Sequence, residues 1–249
     1  MSFNFIKLKK FFSISKAVSL FSLMPNNEKS QEKKKFTVIG DTTKNDIISS
    51  KAKLAKVDLD IVGVGNVFEI DVNSTVVAKI SISGDSNKVF FEEGVVFRGR
   101  LIVRGNNQVV TIGKFSTFQS AYLLCQEGCN IEIGHWCMFS RDIEIRTTDA
   151  HSVVDVKSRE RVNHPASVKI GNHVWVGVGS LISKGSEIPN DSIVGAYSFV
   201  NKKFTDENVL IAGTPAKIVR QGVTWNRGRK SKFSKAKLDH WKEPPSKTE

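Results

Sequence analysis

A branched aliphatic residue returns every six positions from Ile170 through Val176, Ile182, Ile188 and Val194 to Val200. Four places after each of the first five stand Val174, Ser180, Ser186, Ser192 and Ser198, so a large and a small residue recur in fixed phase. An amphipathic helix repeats at about 3.6 and an ordinary two-faced strand at 2, and neither holds this six-residue phase. A hexad is long enough for one short strand and one corner. The branched residue points into a narrow core, the small one fits the turn, and three hexads close a triangular coil. The pattern therefore predicts an all-β fold, a parallel β-helix.

Upstream the register is weaker. Hexads are legible at Ile112, Phe118 and Leu124 and again at Ile133, Phe139 and Ile145, with glycine in second place at Gly113, Gly134, Gly171, Gly177 and Gly195. Glycine there supplies backbone freedom or close approach between coils. From Lys53 onward, Ile- and Val-bearing segments alternate with Gly and Asn turns in an irregular way. The expectation is seven to eight coils of 18 residues over 60–205, interrupted by one loop, within a domain spanning 56–220.

The net charge of +12 is concentrated at the two ends. Residues 1–40 carry eight Lys against two Glu, residues 220–249 carry nine basic against three acidic side chains, and 41–219 balance at twenty of each. Residues 1–55 accordingly read as an N-terminal extension and 221–249 as a basic tail. Such ends suit anionic lipid or an acidic polysaccharide, or they are simply solvated; nucleic acid is not expected. In the first 24 residues Phe3, Phe5, Ile6, Phe11 and Phe12 interleave with Lys7, Lys9, Lys10 and Lys16. That run is too broken for a signal peptide or a membrane span, so it is expected either to lie on a membrane surface or to dock on the protein itself. Residues 25–35 read as a linker.

Cys125, Cys129 and Cys137 cluster near His135, but their spacing fits no tetrahedral zinc site, and no metal is expected. Cys137 takes the small-residue place of its hexad and is expected in the core. An odd cysteine count argues for a reducing compartment. His135 and His173 are read as outward-facing polar residues of their hexads, and His240 as part of the tail.

The repeat breaks between Ala150 and Val168, and an excursion from a closed solenoid usually builds a site. The phrases flanking it, Ile143-Glu-Ile-Arg-Thr-Thr-Asp-Ala-His151 and Lys169-Ile-Gly-Asn-His-Val-Trp-Val-Gly177, resemble those of hexapeptide-repeat acyltransferases with a left-handed β-helix. The resemblance covers roughly 110–220 and is greatest to bacterial O-acetyltransferases of capsular polysaccharides such as polysialic acid. It implies acetyl-CoA as co-substrate, a homotrimer and His151 as the base that takes a proton from a sugar hydroxyl. Transfer is expected to be direct, because no cysteine or serine is placed beside a base in a recognisable nucleophile motif. It also implies that Trp175 lies beside the thioester and that Val178 and Ala196, one coil apart, guide pantetheine through their backbones. Asn201 and Lys202 fall where relatives contact the cofactor.

The phrase Gly213-Thr-Pro-Ala-Lys-Ile-Val-Arg220 resembles the family's closing segment, and its Arg220 suits a CoA phosphate. Lys184 is a further candidate for the cofactor. Asp142 and Asp149 are candidates to orient His151 or to touch the acceptor, and His164, on the loop, is a candidate acceptor contact. Because acetyl-CoA is cytosolic, the site is expected to face the cytoplasm, with peripheral contact at the inner membrane through the basic ends. The alternatives are N-acetylation of an amino sugar or nucleotide-sugar and a silent β-helix scaffold. The carbonic anhydrases that share this fold place two histidines five residues apart, and nothing here matches them.

Overall fold

The computed structural model describes residues 36–242, which form a parallel β-helix. The basic and apolar run of the first 24 residues, the linker to residue 35 and residues 243–249 lie outside the described residues. Eight strands stack on the first wall: Phe36–Gly40, Leu54–Val62, Thr75–Ser83, Val96–Arg104, Ala121–Gln126, Ile143–Arg146, Leu181–Ile182 and Phe199–Val200. The second wall follows in chain order, from Asp46–Ile48 through Ile131–Ile133 and Val168–Ile170 to Glu187–Ile188. The third holds Thr117–Phe118, Met138–Phe139, Trp175–Val176, Ile193–Val194 and Val209–Gly213. All pairings between these strands are parallel; the one antiparallel strand pair among the described residues joins Val209–Gly213 to Ala216–Gln221.

The first coils are regular, contrary to the expectation, and their period is 21 residues. Val57 pairs with Ala78 and Ala78 with Gly99, then Gly99 with Ala121 at a step of 22. Only after the loop does the step fall to 18, with Trp175 beside Ile193 and Leu181 beside Phe199. The physical reason is strand length. Leu54–Val62, Thr75–Ser83 and Val96–Arg104 each run nine residues across what become two walls. The split occurs at Gly99. Val96 pairs with Thr117 on the third wall, while Gly99 pairs with Ala121 on the first. Gly99 has φ +148° and leaves no room for a side chain, because a Cβ there would lie 1.9 Å from the Ala121 carbonyl oxygen. The first rung begins at Phe36, so the solenoid starts some 20 residues before the expected boundary at 56.

Inside, a file of rings runs Phe36, Phe68, Phe91, Phe97, Phe118, Phe139, with centroids 4.1–6.1 Å apart. At the turns of the 21-residue coils, buried Asn45, Asn66 and Asn87 stack. Asn66 Nδ2 donates to Asn45 Oδ1 and to the Gly84 carbonyl, and Asn87 repeats this against Asn66 and Gly105. In the 18-residue coils serine takes over this task. Ser180 Oγ donates to Gly177 and Gly195 carbonyls, Ser186 to Val200 and Ser198 to Gly195. Cys137 occupies the equivalent place, buried as expected, with Sγ 3.1 Å from the Gly171 carbonyl oxygen.

The expected basic tail is not a free one between residues 223 and 242. This stretch packs back on the solenoid through buried Trp225 and Trp241 and contains a short helix, Lys235–Asp239. No helix among the described residues is long and apolar enough to cross a membrane.

Candidate active site

The excursion leaves the first wall after Ile143–Arg146 and returns at Val168–Ile170, so it stands on the edge between the first and second walls. The Thr147 carbonyl accepts from Ala166 N and closes its neck. Beyond the neck the chain folds as a small hairpin, with Val154 bridged antiparallel to Arg161 and Asp155 Oδ1 accepting from the Lys157 and Ser158 amides at its tip. Arg161 reaches back to Glu127 on the edge one coil below, at 2.5 Å, and Thr148 Oγ1 donates to the same carboxylate. Those two hydrogen bonds hold the Glu127 carboxyl below its ordinary pKa.

Asn163 organises the inside of the hairpin. Its Nδ2 donates to Asp149 Oδ2 and to the His151 carbonyl, both at 2.8 Å, and its Oδ1 accepts from Val153 N. Lys184 Nζ lies 2.5 Å from the same Asp149 oxygen, and Lys184 followed by Asn163 lowers the Asp149 pKa. Asp149 and Lys184 thus pin the loop to the next coil. The His151 backbone is held while its side chain is exposed. Asp149 is bonded to Lys184 and Asn163 and not to the His151 ring. His164 is exposed on the returning limb of the loop.

The remaining candidates fall on different parts of the prism. Asn201 and Lys202 are exposed on the His151 edge one coil beyond Lys184, with Lys202 Nζ 5.1 Å from the Phe204 ring. Val178 and Ala196 lie on the edge between the third and first walls, where Tyr197 N donates to the Val178 carbonyl and the Tyr197 ring, 70% exposed, lies over Gly179. Asp142 belongs to that edge as well, with φ +59° and its amide bonded to Ser120 Oγ, so within one chain it is no partner for His151. Trp175 projects from the third wall, 36% exposed. Arg220 is exposed opposite Leu210 on the closing antiparallel pair.

The reading of His173 as an outward polar residue is overturned. Ile133 pairs with Ile170, which aligns His173 with Trp136 rather than with His135. Phe115, Trp136, His173 and Asp191 repeat at the edge between second and third walls, all at φ between +52° and +60°. His173 is 1% exposed. Its ring stacks against Trp225 at 4.3 Å and Trp241 at 5.2 Å. Its Nδ1 donates to Asp191 Oδ1 at 2.7 Å. Burial disfavours the Asp191 carboxylate, but bonds from His173, Thr224 and Asn208 outweigh it and leave the pKa lowered. Trp225 Nε1 donates to the His173 carbonyl and Arg227 bonds Thr117 Oγ1 and the Cys137 carbonyl, which fastens residues 223–242 onto the third wall. His240, taken as a tail residue, is edge-on to both Trp136 and His173.

No family model matches the chain. Among curated proteins it is similar to a polysialic acid O-acetyltransferase of Escherichia coli O1:K1 / APEC, with 31% identity over 132 residues, 53% of this chain and 43% of that protein. The chain thus aligns with less than half the length of that relative. A polysialic acid O-acetyltransferase of Neisseria meningitidis is 33% identical over 181 residues, 72% of this chain and 84% of that protein. Among solved structures, the polysialic acid O-acetyltransferase OatWY superposes with a TM-score of 0.72 at 30% identity, covering 82% of this chain and 97% of the other. The hexad coils, the loop that breaks them and a match over most of the meningococcal protein lead to one assignment: the chain belongs to the hexapeptide-repeat acetyltransferase family of the polysialic acid O-acetyltransferases.

Proposed function

We propose that the protein is an acetyl-CoA-dependent O-acetyltransferase of a sialic-acid-containing capsular or surface polysaccharide, with His151 as general base. The observation that carries this reading is the anchored hairpin. In a chain of this family, the one long excursion among the described coils holds the His151 backbone by Asn163 and leaves its imidazole exposed at an edge. A sugar hydroxyl is a weak nucleophile at neutral pH. Neutral imidazole takes its proton as the oxygen attacks the thioester carbonyl, the tetrahedral adduct collapses, and CoA leaves as the thiol on receiving that proton. Such a base contributes roughly 10²–10⁴ in rate.

The geometry also favours a site shared between subunits. An edge of a triangular prism is opposite its third wall, so His151 and Trp175 of one chain are separated by the core. A homotrimer would bring His151 to the partner subunit's Trp175, with Asn201, Lys202 and Arg220 left exposed to receive the cofactor's polar groups. Lys184, already paired with Asp149, would serve such a site by fixing the loop. Acetyl-CoA supply places this reaction on the cytoplasmic side, and the basic ends suit an anionic polymer or the inner membrane surface.

The test is CoA release from acetyl-CoA with a panel of polysaccharides, comparing the wild type with His151→Ala. Acceptor-dependent release that falls at least about 100-fold in the variant supports the mechanism; unchanged transfer by the variant sinks it. A product stable to mild alkali would turn the assignment to N-acetylation.

A further inference from the structure

The strap formed by residues 223–242 and the second/third edge line a half-open groove of about 340 Å³, next to the wall that bears Trp175. Trp136 and Trp225 supply aromatic surface, and Arg227, Lys237 and His240 supply the polar groups; none of the lining side chains is acidic. Trp136 is backed by Phe115 at 4.6 Å, and Trp225 is fixed by its bond to the His173 carbonyl, so both rings are set in place before any ligand arrives. The Trp225 ring, which lines the groove, is also a neighbour of Trp175, with their centroids 6.1 Å apart.

Arg227 is the informative group. Its guanidinium is held against the solenoid by Thr117 Oγ1 and the Cys137 carbonyl and lies 5.9 Å from the Trp225 ring, yet it takes part in no ion pair among the described residues. Two of its five N–H groups are used by those bonds. The residue remains exposed, so its free N–H groups are open to a ligand, and partial desolvation lowers its pKa. His240 Nδ1 donates to the Lys237 carbonyl, so its Nε2 is the nitrogen left for a ligand. An aromatic-walled, acid-free groove with an unpaired guanidinium fits a sugar ring that carries a carboxylate: the apolar face stacks on indole, and the carboxylate accepts a forked pair of bonds from Arg.

We infer that this groove is an acceptor subsite for one carboxylate-bearing sugar residue of the polymer, with Trp136 and Trp225 as platforms and Arg227 and Lys237 as the anion contacts. The inference rests on the proposed function for the identity of the polymer, but its test does not depend on turnover. Quenching of tryptophan fluorescence by sialic acid oligomers, and by the same oligomers with their carboxylates converted to amides, is measured for wild type, Arg227→Gln and Lys237→Gln. The expected result is binding of the acidic oligomer by wild type, weakened about tenfold or more in Arg227→Gln and less in Lys237→Gln, with the amidated oligomer bound weakly by all three. Lys237 is exposed on the short helix, so its replacement keeps the test open should Arg227→Gln fail to fold.

Equal binding of the acidic oligomer by wild type and both variants overturns the subsite and leaves the transferase standing, as does binding that ignores amidation. Oligomer binding lost in the variants, with no acetyl transfer by wild type, keeps the subsite and sinks the transferase. A rise in the KM for acetyl-CoA, without a change in oligomer binding, would show that the cation serves the cofactor phosphate and overturn the inference. No binding of acidic oligomers by wild type also overturns it.

Discussion

The two halves of the solenoid solve the same problem with different chemistry. Before residue 112 each coil takes 21 residues, its strands are up to nine residues long, and its turns are held by side-chain amides stacked from Asn45 to Asn87. After residue 168 the step is 18, and 17 at the last coil, the strands are mostly two residues long, and the corners are held by single serine hydroxyls. The long coils contain more core and bear no candidate site residue. The short ones expose three edges at close spacing, and His151, Trp175 and Val178 are placed on or beside them. A short coil presents more corners per residue of chain, which favours building a site, while a long strand offers more paired backbone, which favours a rigid base.

The contrast can be broken by substitution. Phe91→Ala removes a ring 6.0 Å from Phe68 and 5.3 Å from Phe97 in the amide-stapled half and is expected to cost about 4 kcal/mol in urea unfolding. Asn66→Ala leaves the Gly84 carbonyl and the Asn87 amide without their partner and is expected to cost about 3 kcal/mol. Ser180→Ala, in the other half, removes one hydroxyl shared by two carbonyls and should cost about 1 kcal/mol. A Ser180 effect as large as that of Asn66 would mean that the corners of both halves are equally dependent on side chains.

A pH experiment sharpens the same point at the loop. Folding lowers the pKa of both Glu127 and Asp149. Their anchoring is therefore complete above the ordinary carboxylate range, about 4 to 4.5, and is lost as pH falls through the lowered folded values. Hydrogen exchange of the 153–162 amides, corrected for intrinsic rate, is expected to accelerate on acidification through that window, while amides of the Asn-stapled coils stay protected; equal protection throughout would show that the loop needs neither pair. The smallest effect is expected at the thiols. Burial pushes Cys125 and Cys137 up to about 12, and Cys129, also raised by burial, is only half-buried. A thiol reagent at pH 8 should therefore label Cys129 alone in the native protein, and mass spectrometry of the labelled peptides checks it.

The hexads after Ile170 were legible because each carries its own strand and corner, so six residues suffice to show the pattern. The 21-residue coils were hidden in plain hydropathy, since nine alternating residues look like any half-buried strand. Their period is nevertheless written in Asn45, Asn66 and Asn87 and in Gly63, Gly84 and Gly105, each set 21 apart, and a search at that spacing would have found it. Asn163 and Arg161 gave no such signal, because their partners Asp149 and Glu127 are 14 and 34 residues away. The basic composition of residues 221–249 masked Trp225 and Trp241, whose burial depends on a surface made by the coils.

By itself the sequence determined the parallel coil, the place where it breaks and the histidine that the break carries, because these follow from local alternation and chain continuity. Which residues share an edge was decided only in three dimensions. Strand pairing keeps the walls aligned through coil steps of 21, 22 and 18, so the residues that meet at an edge come from different places in their coils. That stacking buries His173 between two indoles, sets Trp175 and His151 on opposite sides of the core and brings Arg227 beside a groove.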